Sequence, residues 1–255
     1  MIKAKIKDNV YNIPTKWSET TYQQYIDLKD ANGENEIISA LTSIPINIIS
    51  QLELKEKNKL YLLLQFTKIK FVPDEFEKPE HLLVNGKKIP YVKDIKEKTF
   101  GQKIYFQDVV NNNTNDLNSI LLDIVAIFSQ PYIDELEFDI NKIDRTKELL
   151  KEVFFVDLYS TAIGYLSQLK KIVEEEAKTL SVKPDNNQIL AGVKMFERFG
   201  IMNTIKALAN NDITKYAEIE RLEYNTVYVH MQMNKVQKEF DENYRQVLEQ
   251  QRKSK

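Results

Sequence analysis

The 255-residue chain contains no cysteine. Disulfides and thiolate metal sites are therefore excluded. Histidine is almost as scarce, with His81 and His230 alone, so a Ser/His/Asp arrangement has little to draw on. Neither histidine has a sequence neighbour that marks it as catalytic, and both read as surface or packing residues. Only six glycines and seven prolines punctuate the chain. The phosphate-cradling patterns GxGxxG and GxxxxGK[ST] are missing, as are HExxH and the EF-hand loop. No apolar run approaches the roughly 20 residues of a membrane span. Neither sign of charge dominates, since the formal net charge is -2; nothing in that balance favours nucleic acid or an anionic membrane. No apolar signal core follows the N-terminal residues, so no export is expected.

What is present is an ordinary globular composition, 42% hydrophobic and 29% charged, long enough for a sizeable core. Lys3, Lys5 and Lys7 alternate with Ile2, Ala4 and Ile6, and residues 2–13 read as a hairpin turning at Lys7-Asp8-Asn9. Thr20 with Gln23 has capping-box spacing and opens a short helix over Tyr22, Tyr25, Ile26 and Leu28, stopped by Asn32-Gly33. Ile37, Ile38 and Leu41 give a second helix ending at Ile44-Pro45. Leu60 to Phe66 gives a third, finishing before Pro73. Asn85-Gly86 between Leu82-Leu83-Val84 and Ile89–Val92 predicts a second hairpin. Ile104-Tyr105-Phe106 reads as a further strand. Residues 111–116 form a polar loop and a subdomain boundary.

Beyond that loop the periodicity is helical. Leu117 to Phe128 gives one helix up to Pro131. Leu149 to Val173 gives a longer one of about 35 residues if unbroken. After Lys183-Pro184-Asp185, Ile189 to Leu208 gives another. Asp212 caps a short helix through Leu222, and Asn225 caps a final one running to about Gln250. No internal repeat is legible. The expected architecture is α+β, predominantly α. A subdomain with small β-hairpins covers 1–114 and a helical subdomain with a long C-terminal helix covers 115–255.

Candidate chemistry is thin. Asp134, Glu135, Glu137 and Asp139 suit a hard cation in type, but Leu136 and Phe138 alternate with them, as in an extended segment with one wet face. Tyrosines near lysines, such as Tyr22, Tyr25 and Tyr61, suit base stacking, yet their spacing makes them core residues more simply. Glu174-Glu175-Glu176 reads as a solvated helix face. No catalytic, cofactor-binding or metal-ligating residue is assigned. Two places suit a protein partner. Trp17, the only tryptophan, precedes the first helix and either staples it or meets a partner. The final helix carries Tyr228, Met231, Phe240, Tyr244 and Leu248 on a loose apolar stripe among polar residues; methionine and tyrosine are enriched at interfaces.

Several short stretches resemble a known group. Tyr11-Asn12-Ile13-Pro14-Thr15-Lys16-Trp17-Ser18-Glu19-Thr20, continuing through Tyr22-Gln23-Gln24-Tyr25, is similar to the pattern apolar-Pro-x-x-Trp-x-Glu-x-Thr. Ile38 to Pro45 is similar to I-x-x-L-T-G-I-P, with Ser43 in place of glycine. Asn85-Gly86-Lys87-Lys88-Ile89-Pro90-Tyr91 through Thr99-Phe100-Gly101-Gln102 resembles G-K-x-Y … T-x-G-Q. Ile124 to Phe128 with Pro131, and Ala207-Leu208-Ala209 followed by Asp212-Ile213-Thr214-Lys215, complete the series. Together they resemble tail assembly chaperone-like and virion-associated assembly proteins of Bacteroidetes-infecting (crAss-like) bacteriophages. The resemblance implies a non-enzymatic protein of tail or head–tail assembly, a chaperone or a ring or connector component. It would sit in the virion or the host-cell cytoplasm. Its partners would be phage structural proteins, tail or connector subunits, and copies of itself, with neither membrane nor nucleic acid expected. Alternatives from other classes are a nucleic-acid-associated virion protein and a carboxylate-dependent enzyme.

Overall fold

The computed structural model describes every residue except Lys70, 73–75, 113–116, Lys183 and 254–255. It is α+β and mainly α, as the periodicity predicts. In the N-terminal half, β1 (Ile2–Ile6) and β2 (Asn9–Ile13) pair antiparallel, and four helices follow: α1 (Tyr22–Asp30), α2 (Glu34–Thr42), α3 (Ile46–Gln51) and α4 (Leu54–Leu63). A second hairpin is made by β3 (His81–Val84) and β4 (Lys87–Pro90). Its turn residues Asn85 and Gly86 both have positive φ, the conformation that Asn-Gly supplies most readily. Then come α5 (Phe100–Asn112), α6 (Leu117–Asp134), α7 (Ile143–Leu150), α8 (Phe155–Thr179), α9 (Asn186–Leu190), α10 (Ile201–Leu208), α11 (Tyr216–Arg221) and α12 (Tyr224–Lys253).

Several expectations are corrected. The first capping box uses Thr21 and Gln24, one residue later than Thr20 and Gln23. Ile104-Tyr105-Phe106 lies inside α5; a run of three β-formers is overridden by packing, with Phe106 fully buried. α6 continues one turn past Pro131. Proline forfeits its own N–H bond and crowds the turn before it, but leaves the following amides free to bond. The stripe from Leu149 breaks between α7 and α8, and that from Ile189 breaks into α9, a 3-10 stretch and α10. α12 begins at Tyr224, so Asn225 is inside it. Of the expected loop 111–116, Asn111 and Asn112 end α5, and the remainder lies outside the described residues.

Two compact units emerge, and neither follows a single cut at 114/115. One comprises Met1–Val92 with Asn112–Tyr165, the other Lys93–Asn111 with Leu166–Lys255. In the first unit, Ile13, Ile38, Leu41, Ile44, Ile49, Leu60 and Leu64 close one core. α6 is buried almost all round from Ile120 to Gln130, the pattern of a central helix. In the second unit, Ile95, Phe100, Phe106, Leu169, Ile172, Tyr224 and Val227 are buried.

Both units are built around the same device. In the first, Tyr22 donates its amide to the Val153 carbonyl and Phe155 donates to Thr20. In the second, Phe100 donates to Leu222 and Tyr224 to Lys98. Each reciprocal pair is a one-residue antiparallel bridge, Thr21 with Phe154 and Thr99 with Glu223, joining the starts of two helices. Thr21 and Gln24 form a capping box, and Thr99 and Gln102 exchange the same hydrogen bonds. The opposite strand of each bridge is preceded by an Asp-Ile-x-Lys turn: Asp139 caps Asn141, Asp212 caps Thr214, and a short helix follows. An aromatic pair four residues apart opens each long helix, Phe155 with Tyr159 and Tyr224 with Tyr228, both at 5.8 Å between centroids. The chain thus contains a repeated structural motif that sequence periodicity conceals.

Candidate partner-binding helix

The second unit fixes only the base of α12. Leu222 and Tyr224 are held by the bridge to Lys98 and Phe100. Lys103, whose side chain is 2% exposed, gives its ammonium to Glu176 at 2.7 Å and to Gln107 at 2.9 Å. That ammonium also lies over the Tyr224 ring, and the Tyr224 hydroxyl donates to the same Glu176 carboxylate. Burial, with the Glu176 charge beside it, pushes the Tyr224 phenol well above its ordinary range. One turn along, Lys96 pairs with Glu175 and lies over Tyr228, whose hydroxyl meets that of Thr179 at 2.7 Å. The hydrogen bond from Lys96 holds the Glu175 carboxyl below its usual value. Glu175 and Glu176 are therefore structural ion-pair partners, which corrects their reading as a solvated face. Farther along, Lys235 contacts α8 and the chain after it, donating to the Thr179 and Ser181 carbonyls.

Tyr228 is consequently buried, and it leaves the set of residues free to meet a partner. Met231 is half-buried. Phe240 and Tyr244 differ: they are 59% and 55% exposed and stack on each other at 5.9 Å. Leu248 is also exposed. Val236, which also falls on the stripe read from the sequence, is 64% exposed. Sequence reading missed Met233, also 64% exposed, and the exposed Val229 and Val247. Val229, Met233 and Val236 recur 11 positions later as Phe240, Tyr244 and Val247. Eleven residues make three helical turns, so these six side chains run along one side of α12. The helical period places Tyr224, Val227, Tyr228, Met231, Lys235 and Lys238 on the other side. Packing uses one face and leaves the apolar one open. The signal was in the sequence, but mixing Tyr228 and Met231 into the stripe blurred its period.

The other candidates find partners within their own unit. Trp17 is half-buried, its ring edge-on to Phe66 at 5.3 Å and Phe71 at 6.0 Å, and its Nε1 donates to the Ile69 carbonyl at 3.3 Å. Of its ring neighbours, Tyr25 at 6.2 Å belongs to α1. Asp134 accepts from Gln130 and Arg145, Glu135 from Lys87, and Asp139 caps a turn. Among the described residues no group of three acidic or histidine side chains is placed to hold a metal ion. His81 is exposed on β3; burial raises the Asp157 carboxyl, against the smaller opposing effect of His81. A shallow cleft of about 630 Å³ lies between Val182, Phe196, Asn203 and Lys238 in the second unit. No described helix is long and apolar enough to cross a membrane. Comparison with family models, curated proteins and solved structures finds no match.

Proposed function

We propose that this chain is a non-enzymatic bacteriophage protein that works through protein–protein contacts in tail or head–tail assembly. The observation that carries the contact half of this reading is the open apolar face of α12. Monomeric proteins seldom leave a continuous apolar strip of this length in water unless it meets something. The phage half rests on the sequence resemblance alone. Partners are then tail or connector subunits, and the site of action is the virion or the host-cell cytoplasm. Anchoring by Lys96, Lys103, Glu175 and Glu176 holds the base of the helix rigid and leaves the rest free to dock.

The test is recovery from infected cells. The tagged full chain and a chain ending at Met233 are compared by mass spectrometry of co-purifying proteins and of purified virions. The reading expects tail or connector subunits with the full chain and their loss on truncation. Presence in mature virions would mark a permanent component, and presence only before maturation a chaperone. Equal recovery of the same subunits by both chains would overturn the assignment to α12, and absence of any phage structural protein from either would overturn the phage role.

A further inference from the structure

We infer that the open face of α12 pairs with the same face of a second copy of this chain, the two helices antiparallel and Phe240 on the twofold axis. This rests on the reading of α12 as a contact element and names one occupant for it.

The spacing itself is self-complementary. Counting from Phe240, the central apolar positions fall at minus seven (Met233), minus four (Val236), plus four (Tyr244) and plus seven (Val247), while Val229, at minus eleven, lies beyond them and faces Gln251. Reversing the helix maps this central set onto itself. An isologous interface requires that property, since one patch must serve both subunits. In the antiparallel register Val236 faces Tyr244 and Met233 faces Val247. Small sits against large in every layer but the central one. A parallel pair would stack tyrosine on tyrosine and valine on valine, giving alternately overfilled and underfilled layers. Opposed helix dipoles add a small preference for the same orientation.

The flanks suit a like partner. Beside the strip lie Gln232, Gln237, Asn243 and Gln250, uncharged residues that repel no copy of themselves. The charges Lys235, Lys238, Glu242, Arg245 and Glu249 project from the far side, and Lys238 lines the cleft there. Glu239 and Asp241 are the exceptions, bordering the strip near the axis. A partner recognised by charge would call for charged flanks throughout. The strip supplies more than half of the area a stable interface needs. Aromatic side chains bury about 150–250 Å² each, so Phe240 and Tyr244 still have on the order of 100 Å² apiece to cover. With Met233, Val236 and Val247 the strip brings on the order of 500 Å² per helix, and the flanks extend it toward the roughly 800 Å² per partner of a stable interface.

The absence of cysteine makes the test clean. Met233→Cys and Val247→Cys are prepared separately in the full chain, then oxidised alone and as a mixture. Antiparallel pairing predicts disulfide-linked dimers in the mixture and few in either sample alone. Sedimentation velocity should show the parent as a dimer, and Phe240→Asp as a monomer with unchanged helix content and melting, its self-association weakened at least about tenfold. Cross-links in each single variant alone would overturn the antiparallel register. A parent that stays monomeric at all accessible concentrations would overturn the second copy as occupant. If that monomer still recovers tail or connector subunits from infected cells, the contact reading of α12 stands and only the self-pairing falls.

Discussion

At the residue scale, the structure separates side chains that hold the fold from those left open. Trp17 belongs to the first group, because its ring is enclosed by Phe66, Phe71 and Tyr25. Trp17→Ala should lower stability by about 2–4 kcal/mol, read from urea unfolding; a variant that melts like the parent but loses its partner would make it a contact residue instead. Lys103 and Glu176 should respond unequally. Glu176→Ala strands a buried ammonium with Gln107 as its one remaining acceptor among the described residues, a loss of about 3 kcal/mol or more. Lys103→Met leaves Glu176 at a rim that water reaches and should cost less. Lys96 and Glu175 give a pH signature. Because Lys96 holds the Glu175 carboxyl below its ordinary 4.5, the unfolded chain binds the proton more readily. The contribution is complete above that value and fades as pH falls through the lower folded one. Lys96→Met should therefore flatten the acid limb of the urea midpoint measured against pH. None of these pairings was legible in the sequence. Glu174-Glu175-Glu176 offers three acids in a row, and only the contacts made by Lys96 and Lys103, more than 70 residues away, single out two of them.

At the scale of elements, local patterns served best where the chemistry was local. Asn85-Gly86 specifies its turn, and alternation specifies β1 and β2. Thr20-Thr21 followed by Gln23-Gln24 permits two capping registers of identical spacing. The bridge from Thr21 to Phe154 selects the second, and that choice depends on residues far along the chain. The repeated bridge motif was hidden for a related reason. Its recurring elements are Thr-x-x-Gln, Asp-Ile-x-Lys and one aromatic pair, separated by insertions. Equivalent function makes a prediction: Thr21→Ala and Thr99→Ala should each cost about 1 kcal/mol, the first loosening the unit that holds α1 and the second the unit that holds α5. Hydrogen exchange resolves the two. Similar loss of protection in both units from either variant would contradict independent caps.

At the scale of the whole molecule, the account divides α12 by role. Its first turns, Tyr224 to Tyr228, belong to a core, and its outer part carries an apolar face that no described residue covers. The sequence announced a long, polar final helix but left open whether it folds back; the burial of Tyr228 beside the exposure of Phe240 resolves that. On the proposed non-enzymatic role in phage assembly, changing His81 and His230 together to glutamine should leave phage yield intact, and a drop in yield from a normally folded double variant would reopen the enzyme class. The most direct test of the division is the unfolding midpoint of the chain ending at Met233. The account predicts cooperative melting within about 2–4 °C of the full chain, since what is removed is the Lys235 contacts, the cleft edge at Lys238 and a stretch of helix whose apolar side is already exposed, together with loss of assembly. Insolubility, or a midpoint far below that of the full chain, would show that the outer half of α12 is part of the core and would contradict the account.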